Sequence, residues 1–211
     1  MGKAKEKFER VLLTVRRRVR SGALPSGGRV SAAELAEELR LSTTPVRQAL
    51  AQLAGQGLLD GRAGDGYFVP QADTEDISDL YRTRGRLVGL AIARWPPNDG
   101  RPAALSLPSE SRIDLTNVDR LEFQLRQLVR RAGSDALTYL YDRLSDRLAF
   151  LATAEDRCVE TAAVDLAMID ALCQAGDARK LERAIADLHE RRAALAGPIK
   201  SESRNNDGAA P

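Results

Sequence analysis

Histidine occurs once in these 211 residues, cysteine and methionine twice each and tryptophan once, and aromatic side chains make up only 4% of the chain. Each shortage removes a class of chemistry. A single imidazole, His189, leaves little from which to build a histidine-activated nucleophile, and no G-x-S-x-G elbow is present. Cys158 and Cys173 stand at no metal or redox spacing and read as reduced packing residues of a cytosolic protein. Scarce aromatics argue against a β-sandwich and for a helix-rich interior packed with alanine and leucine. No signal peptide is visible and no apolar run is long enough to span a bilayer, so a cytoplasmic protein without a membrane partner is expected. Gly64-Asp65-Gly66 lacks the lysine and further glycine of a phosphate-cradling loop. Asp142 and Asp146, one helical turn apart, read as a solvated face rather than an acid/base pair. No enzyme is expected, and no cofactor.

What is present is a charge imbalance. The net charge is +2. Residues 1–70 nevertheless hold 12 Lys and Arg against 7 Asp and Glu, and the remainder holds 20 against 23. A basic first third on a slightly acidic remainder is the sign pattern that contact with phosphate requires.

Within the basic third, Ser42 to Leu59 reads as a helix with Val46, Ala49, Leu50 and Leu53 on its apolar stripe. Thr43, Thr44, Arg47 and Gln48 gather at its N-terminal end, where Ser42 or Thr44 can cap and Pro45 is tolerated. Ser31 and Glu34 form a capping-box pattern that opens a short helix through Leu39, and Arg40-Leu41 makes a tight turn between the two. Such a pair is a helix-turn-helix, whose second helix enters the major groove. Short hydroxyls, free amides and an arginine in the first turn suit phosphate oxygens and guanine edges. Leu58 to Arg62 and Tyr67 to Val69 read as strands joined by Ala63 to Gly66, a wing, with Arg29-Val30 as its third strand and Arg29 flanking the DNA backbone. An amphipathic helix from Glu6 to Arg20 precedes them. Its Arg16, Arg17, Arg18 and Arg20 suit either a solvated face complementing the helix dipole or phosphate contact.

After a short linker at 71–73, helices are expected at Glu75 to Trp95 (capped by Thr74), Val118 to Ala132, Ala136 to about Ala152, Asp156 to Ala175 and Ala178 to Ala196. The last is stopped by Gly197-Pro198. Short connections make these an antiparallel bundle. Residues 96–117 break all periodicity and read as a connector. The polar tail 200–211 is expected to be disordered. The fold class is therefore mainly α: an N-terminal winged helix-turn-helix over residues 1–70 and a C-terminal antiparallel helical bundle over residues 74–199.

The run L-P-S-G-G-R-V-S-A-A-E-L-A-E-E-L-R-L-S-T-T-P-V-R-Q-A-L, closing on G-D-G-Y-F-V, resembles the winged-helix domain of the GntR family of bacterial transcription regulators, over Glu6 to Pro70. The likeness implies a homodimeric regulator, a repressor, on a pseudo-palindromic double-stranded DNA operator. The contacts would come from Arg29, Ser42, Thr43, Thr44, Arg47, Arg62 and Gly66. Thr43 stands where the family usually has arginine, which bears on the operator sequence.

The second half resembles, more weakly, the FCD-type effector domain of the FadR subgroup. The likeness rests on D-L-Y-R-T-R-G-R-L-V at Asp79 to Val88, L-E-F-Q-L-R-Q-L-V-R-R-A-G-S at Leu121 to Ser134 and I-D-A-L-C-Q-A-G-D-A-R at Ile169 to Arg179. Many such domains hold a divalent metal with one aspartate and three histidines. Here Phe123-Gln124 replaces phenylalanine-histidine, Asp165 and Leu166 stand near the second position, and His189 lies beside the third. A metal is therefore not expected, and His189 reads as a surface or partly packed residue of the last helix. The resemblance places Arg84 as the anchor of a small carboxylate-bearing effector, with Gln124, Tyr139 and Arg147 adding contacts where their helices face inward. Val88 replaces a glutamate usual there. A salt bridge from Arg84 to a bundle carboxylate such as Asp119 or Asp165 is the other reading. The alternative for the domain as a whole is that it only dimerises a constitutive DNA-binding protein.

Overall fold

The structure, a computed structural model, describes residues 2–95 and 115–205. The connector at 96–114 and the tail from 206 lie outside the described residues. The chain divides into two compact units. One comprises Met1–Ala72 with Asp146–Thr153 and Ser201–Pro211, and the other Asp73–Ser145 with Ala154–Lys200.

In the first unit α1 (Gly2–Arg20) buries Val11, Leu12, Val15 and Val19 as one stripe. Against it packs α3 (Thr43–Gly55) with Val46, Ala49, Leu50 and Leu53 fully buried, while α2 (Ala32–Leu39) contributes Leu35 and Ala36. The i, i+3, i+4 spacing of these residues is what closes a three-helix core. Two arginines of α1 find partners within this unit. Arg16 pairs with Asp146 at 3.4 Å and hydrogen-bonds Gln56, and Arg18 pairs with Glu38. Strands β1 (Arg29–Val30), β2 (Asp60–Arg62) and β3 (Gly66–Phe68) form an antiparallel sheet in the order β1-β3-β2. Arg62 stands opposite Gly66, and Arg29 opposite Phe68. The hairpin turns on Gly64 and Gly66, with φ of 82° and 106°, values that only glycine adopts freely.

In the second unit α4 (Thr74–Ala93) packs most extensively on α9 (Ala178–Ala194), with α5 (Asn117–Arg131) and α8 (Ala162–Ala175) alongside. Gly85 permits the approach of α4 to α9, since a Cβ there would lie 2.8 Å from Cβ of His189. The core comprises Val88, Ile92, Leu121, Leu125, Leu128, Tyr141, Ile169, Ile185 and Leu188 with their neighbours.

Four details depart from the sequence reading. The cap of α4 is Asp73, which accepts from the Asp76 amide at 2.8 Å, and Thr74 is the first helical residue. The stretch read as two helices between Ala136 and Ala175 is α6 (Asp135–Leu148), a 3-10 turn (Ala149–Leu151), α7 (Ala152–Cys158) and α8. The break at Val159–Thr161 falls where two β-branched residues flank Glu160, and Thr161 turns its hydroxyl onto Asp165 at 3.1 Å. Gly197-Pro198 does not end the helical chain but opens α10 (Ala196–Asn205). Proline is harmless in a first turn, where its amide would have no intrahelical acceptor. The stretch expected to be disordered from residue 200 is thus helical as far as Asn205, anchored by buried Ala196, Ile199 and Ser203.

Candidate nucleic-acid interface

Ser42 occupies the N-cap of α3 in extended conformation, yet its side chain makes no capping hydrogen bond. The first-turn amides of α3 and the hydroxyls of Ser42, Thr43 and Thr44 are therefore uncommitted, and all three side chains are exposed. Arg47 follows one turn later, also exposed. It lines an open groove of about 620 Å³ together with Arg29, Arg62 and Gly66, the start of α2 at Ser31–Ala33, and the wing residues Gly61, Asp65 and Tyr67. Arg62 lies 4.1 Å from the centroid of the Phe68 ring, a cation–π contact that holds it on the wing. Gly66, whose φ of 106° is what calls for glycine, lies beside the Arg29 guanidinium, with the place of a Cβ 3.8 Å from its Nε. The sheet brings Arg29, Arg62 and Gly66 to one concave surface with Arg47 of α3, and Ser42, Thr43 and Thr44 stand at the start of that helix. Sequence reading missed the opening turn of α2 and the backbone of Gly61 and Asp65. Their signal was the adjacency of the Arg29-Val30 strand to Ser31.

The helical unit arranges its charges differently. Arg84 is 5% exposed and pairs with Glu122 at 2.8 Å, rather than with Asp119 or Asp165 as the sequence suggested. Burial opposes its charge, but Glu122 foremost, with Tyr141, Glu155 and Tyr81, together more than offset this and hold the guanidinium protonated. Its Nε donates to Nε2 of His189 at 3.2 Å, and Nδ1 of His189 faces the Ile185 carbonyl at 2.8 Å. His189 is buried, not at the surface, and α10 follows its helix. Burial, with Arg84 and then Arg192 beside it, pushes its pKa well below 6.5, so the ring is neutral, with Nδ1–H donated to the carbonyl.

Deeper in the unit, Arg192 is 1% exposed and clamps Glu155 through Nε and Asp165 through Nη1 at 3.3 Å. Arg191 reaches the other Asp165 oxygen at 2.6 Å, and the Tyr81 hydroxyl donates to Glu155 at 2.9 Å. Burial first, then the adjacent carboxylates Glu155 and Glu122 respectively, raise the phenols of Tyr81 and Tyr141 well above 10.

Of the other residues placed around an effector, Gln124 is buried and donates to Asp170. Tyr139 is 59% exposed, with Arg143 5.2 Å from its ring; the inward tyrosine of α6 is Tyr141, two positions on. Arg147 is exposed, belongs to the first unit and lies beside Gly57. Arg84 is thus brought together with Glu122, His189 and Tyr81 rather than with Tyr139 and Arg147. Nor do the residues fit the metal site that the resemblance implies. Both His189 nitrogens are engaged, Asp165 is bound by two guanidinium groups, and buried Arg84 and Arg192 place cations where a metal would need electron-pair donors. Among the described residues no three His, Cys, Asp or Glu side chains cluster as ligands.

A three-stranded wing beside a helix-turn-helix whose second helix presents hydroxyls and an arginine is a winged helix-turn-helix fold. In comparison with known proteins, residues 7–69 match the family of bacterial regulatory proteins, gntR family. The chain is 36% identical over 78 residues to an uncharacterized HTH-type transcriptional regulator of Mycobacterium tuberculosis, covering 37% of this chain and 32% of that protein. It is 34% identical over 82 residues to the HTH-type transcriptional regulator McbR of Escherichia coli, covering 37% of each. The matched stretch thus spans about a third of the length of these relatives. The solved structure of Escherichia coli McbR superimposes with a TM-score of 0.66 at 20% identity, over 90% of this chain and 97% of that one. A transcriptional regulator of the GntR type from Rhodococcus gives 0.70 at 19%, over 98% and 100%. At such identities the likeness speaks for the fold, a winged helix-turn-helix followed by a helical C-terminal unit. The matched family is one of bacterial regulatory proteins, and both relatives are HTH-type transcriptional regulators. Among the described residues no helix is long and apolar enough to cross a membrane.

Proposed function

We propose that the chain is a sequence-specific DNA-binding transcription regulator that binds a pseudo-palindromic operator as a two-fold homodimer and acts in the cytoplasm as a repressor. The observation that carries the reading is the convergence of Arg29, Arg47 and Arg62 on one open groove beside the uncapped N-terminus of α3. Uncommitted amides and hydroxyls suit phosphate oxygens, and an exposed arginine in the second turn of a recognition helix reaches base edges. One such unit covers one half-site, so a two-fold pair matches a palindrome. A bound dimer on a promoter would exclude polymerase.

The FCD-type reading of the helical unit supplies a second question, whether a carboxylate effector sits at Arg84. Glu122 already neutralises that guanidinium, so an anionic ligand would have to displace an internal carboxylate. The pairing favours a helical unit that dimerises a constitutive DNA-binding protein over one that senses a carboxylate there.

The test is selection of duplexes by the full chain from a randomised pool, followed by titration of Arg47→Ala. An enriched two-fold sequence bound by two chains is expected. Loss of about 1 to 3 kcal/mol on that sequence, with little change on a shuffled one, marks base reading by Arg47. Undiminished binding by Arg47→Ala at matched salt overturns the assignment of the groove.

A further inference from the structure

Among the described residues, positive φ is otherwise confined to glycine, at seven positions. Arg40 is the exception, with φ 53° and ψ 49°. The conformation is imposed by the turn of the helix-turn-helix. Arg40 N–H bonds the Glu37 carbonyl at 3.1 Å and Leu41 N–H bonds the Ala36 carbonyl at 2.8 Å, the paired closure of a Schellman motif. The same closure ends α3, where Leu58 N–H bonds Leu53 and Gly57 N–H bonds Ala54, with Gly57 at φ 81° in the position that Arg40 fills after α2. One chain therefore uses glycine for this geometry at the end of the recognition helix and a bulky cation at its entry, against the steric preference of an L-residue.

Folding gives no reason for the cation. The Arg40 side chain is exposed and takes no partner among the described residues. A positive charge complements the C-terminal dipole of α2, but the positive end of α3 begins two residues later, at Ser42, and opposes it. Backbone strain kept at an exposed, unpaired residue points to a function elsewhere. Arg40 lies where the helix that crosses the DNA backbone hands over to the helix that enters the groove. Thr43 is three positions on, at most roughly 11 Å of chain, and α3 itself contains one cation, Arg47.

We propose that Arg40 is a DNA-contacting residue whose guanidinium holds an operator phosphate beside the entry of the recognition helix. This rests on the DNA-binding reading above and adds a positive charge to the neutral contacts of the first-turn hydroxyls.

Arg40→Gly separates this role from a structural one, because glycine relieves the backbone while removing the charge. The full-length variant is compared with wild type on the duplex recovered by selection and on a shuffled duplex of equal length, from about 50 to 200 mM salt. Its thermal midpoint should equal or exceed that of wild type. Affinity should fall about tenfold or more on both duplexes, and the slope of log K against log salt should shrink by about 2 for a dimer that loses two phosphate contacts. Arg40→Lys should restore most of both. Unchanged affinity and slope in Arg40→Gly, with Arg47→Ala still impaired, overturns this proposal alone. A loss confined to the selected duplex with an unchanged slope also overturns it, in favour of base reading. Should wild type enrich no duplex, the DNA-binding reading falls and this contact with it.

Discussion

In the first unit Arg29, Arg47 and Arg62 stand in solvent around an open groove without a carboxylate partner among the described residues, whereas in the helical unit Arg84 and Arg192 are almost wholly buried and held by Glu122, Glu155 and Asp165. The same side chain is used in two ways, and solvent decides which. An exposed guanidinium keeps its hydration and remains available to an outside anion at little cost to the fold. A buried one is tolerable only if neutralised, so its partner becomes part of the architecture. The cations that could meet a polyanion and the cations that hold the bundle are therefore separate populations.

The largest expected effect tests the buried population. Arg192→Ala strips Glu155 and Asp165 of their shared cation inside the unit and should lower unfolding stability by about 3 to 5 kcal/mol, read by urea denaturation. Arg47→Ala, tested in the same way, should change it by no more than about 0.5 kcal/mol. Similar values for the two variants would erase the contrast.

The next effect follows pH. His189 keeps a folded-state pKa well below 6.5, so the unfolded chain takes up a proton first as pH falls. Stability from this residue is complete above about pH 6.5 and declines below it by up to about 1.4 kcal/mol per pH unit until the folded ring itself titrates. Comparing stability against pH for wild type and His189→Gln isolates that slope from the carboxylates. Parallel curves below pH 6.5 would mean that the ring is not held neutral as its contacts with Arg84 and Ile185 require.

The smallest effect concerns a residue that the sequence offered as an effector contact on condition that its helix faced inward. Tyr139→Ala should leave thermal stability within about 0.5 kcal/mol of wild type, because its ring is mostly exposed. A substantially larger loss in a calorimetric scan would show that this face of α6 is covered in solution.

The winged helix-turn-helix was legible because its signals are local. A cap at Ser31, helical spacing from Val46 to Leu53 and a glycine turn between two short strands each act within a few residues, and the chain obeyed them. The surface cations of the groove were legible for the same reason, since nothing competes for an exposed side chain. The Val159–Thr161 break and the continuation into α10 were not read, because a weak stop or an early proline is settled by what packs beside it.

By itself, then, the sequence determined the helix-turn-helix, its wing and the basic end it presents. Only the tertiary structure decided which charges of the helical unit meet. Arg84 with Glu122, Arg192 with Glu155 and Asp165, and His189 with Arg84 are partners 27 to 105 residues apart on different helices. Along each helix nothing names the partner: Arg84 reads as an anchor for an effector or for Asp119 or Asp165, and His189 as a surface or partly packed residue. Desolvation on packing makes them obligatory pairs, and no local pattern encodes which helix faces which.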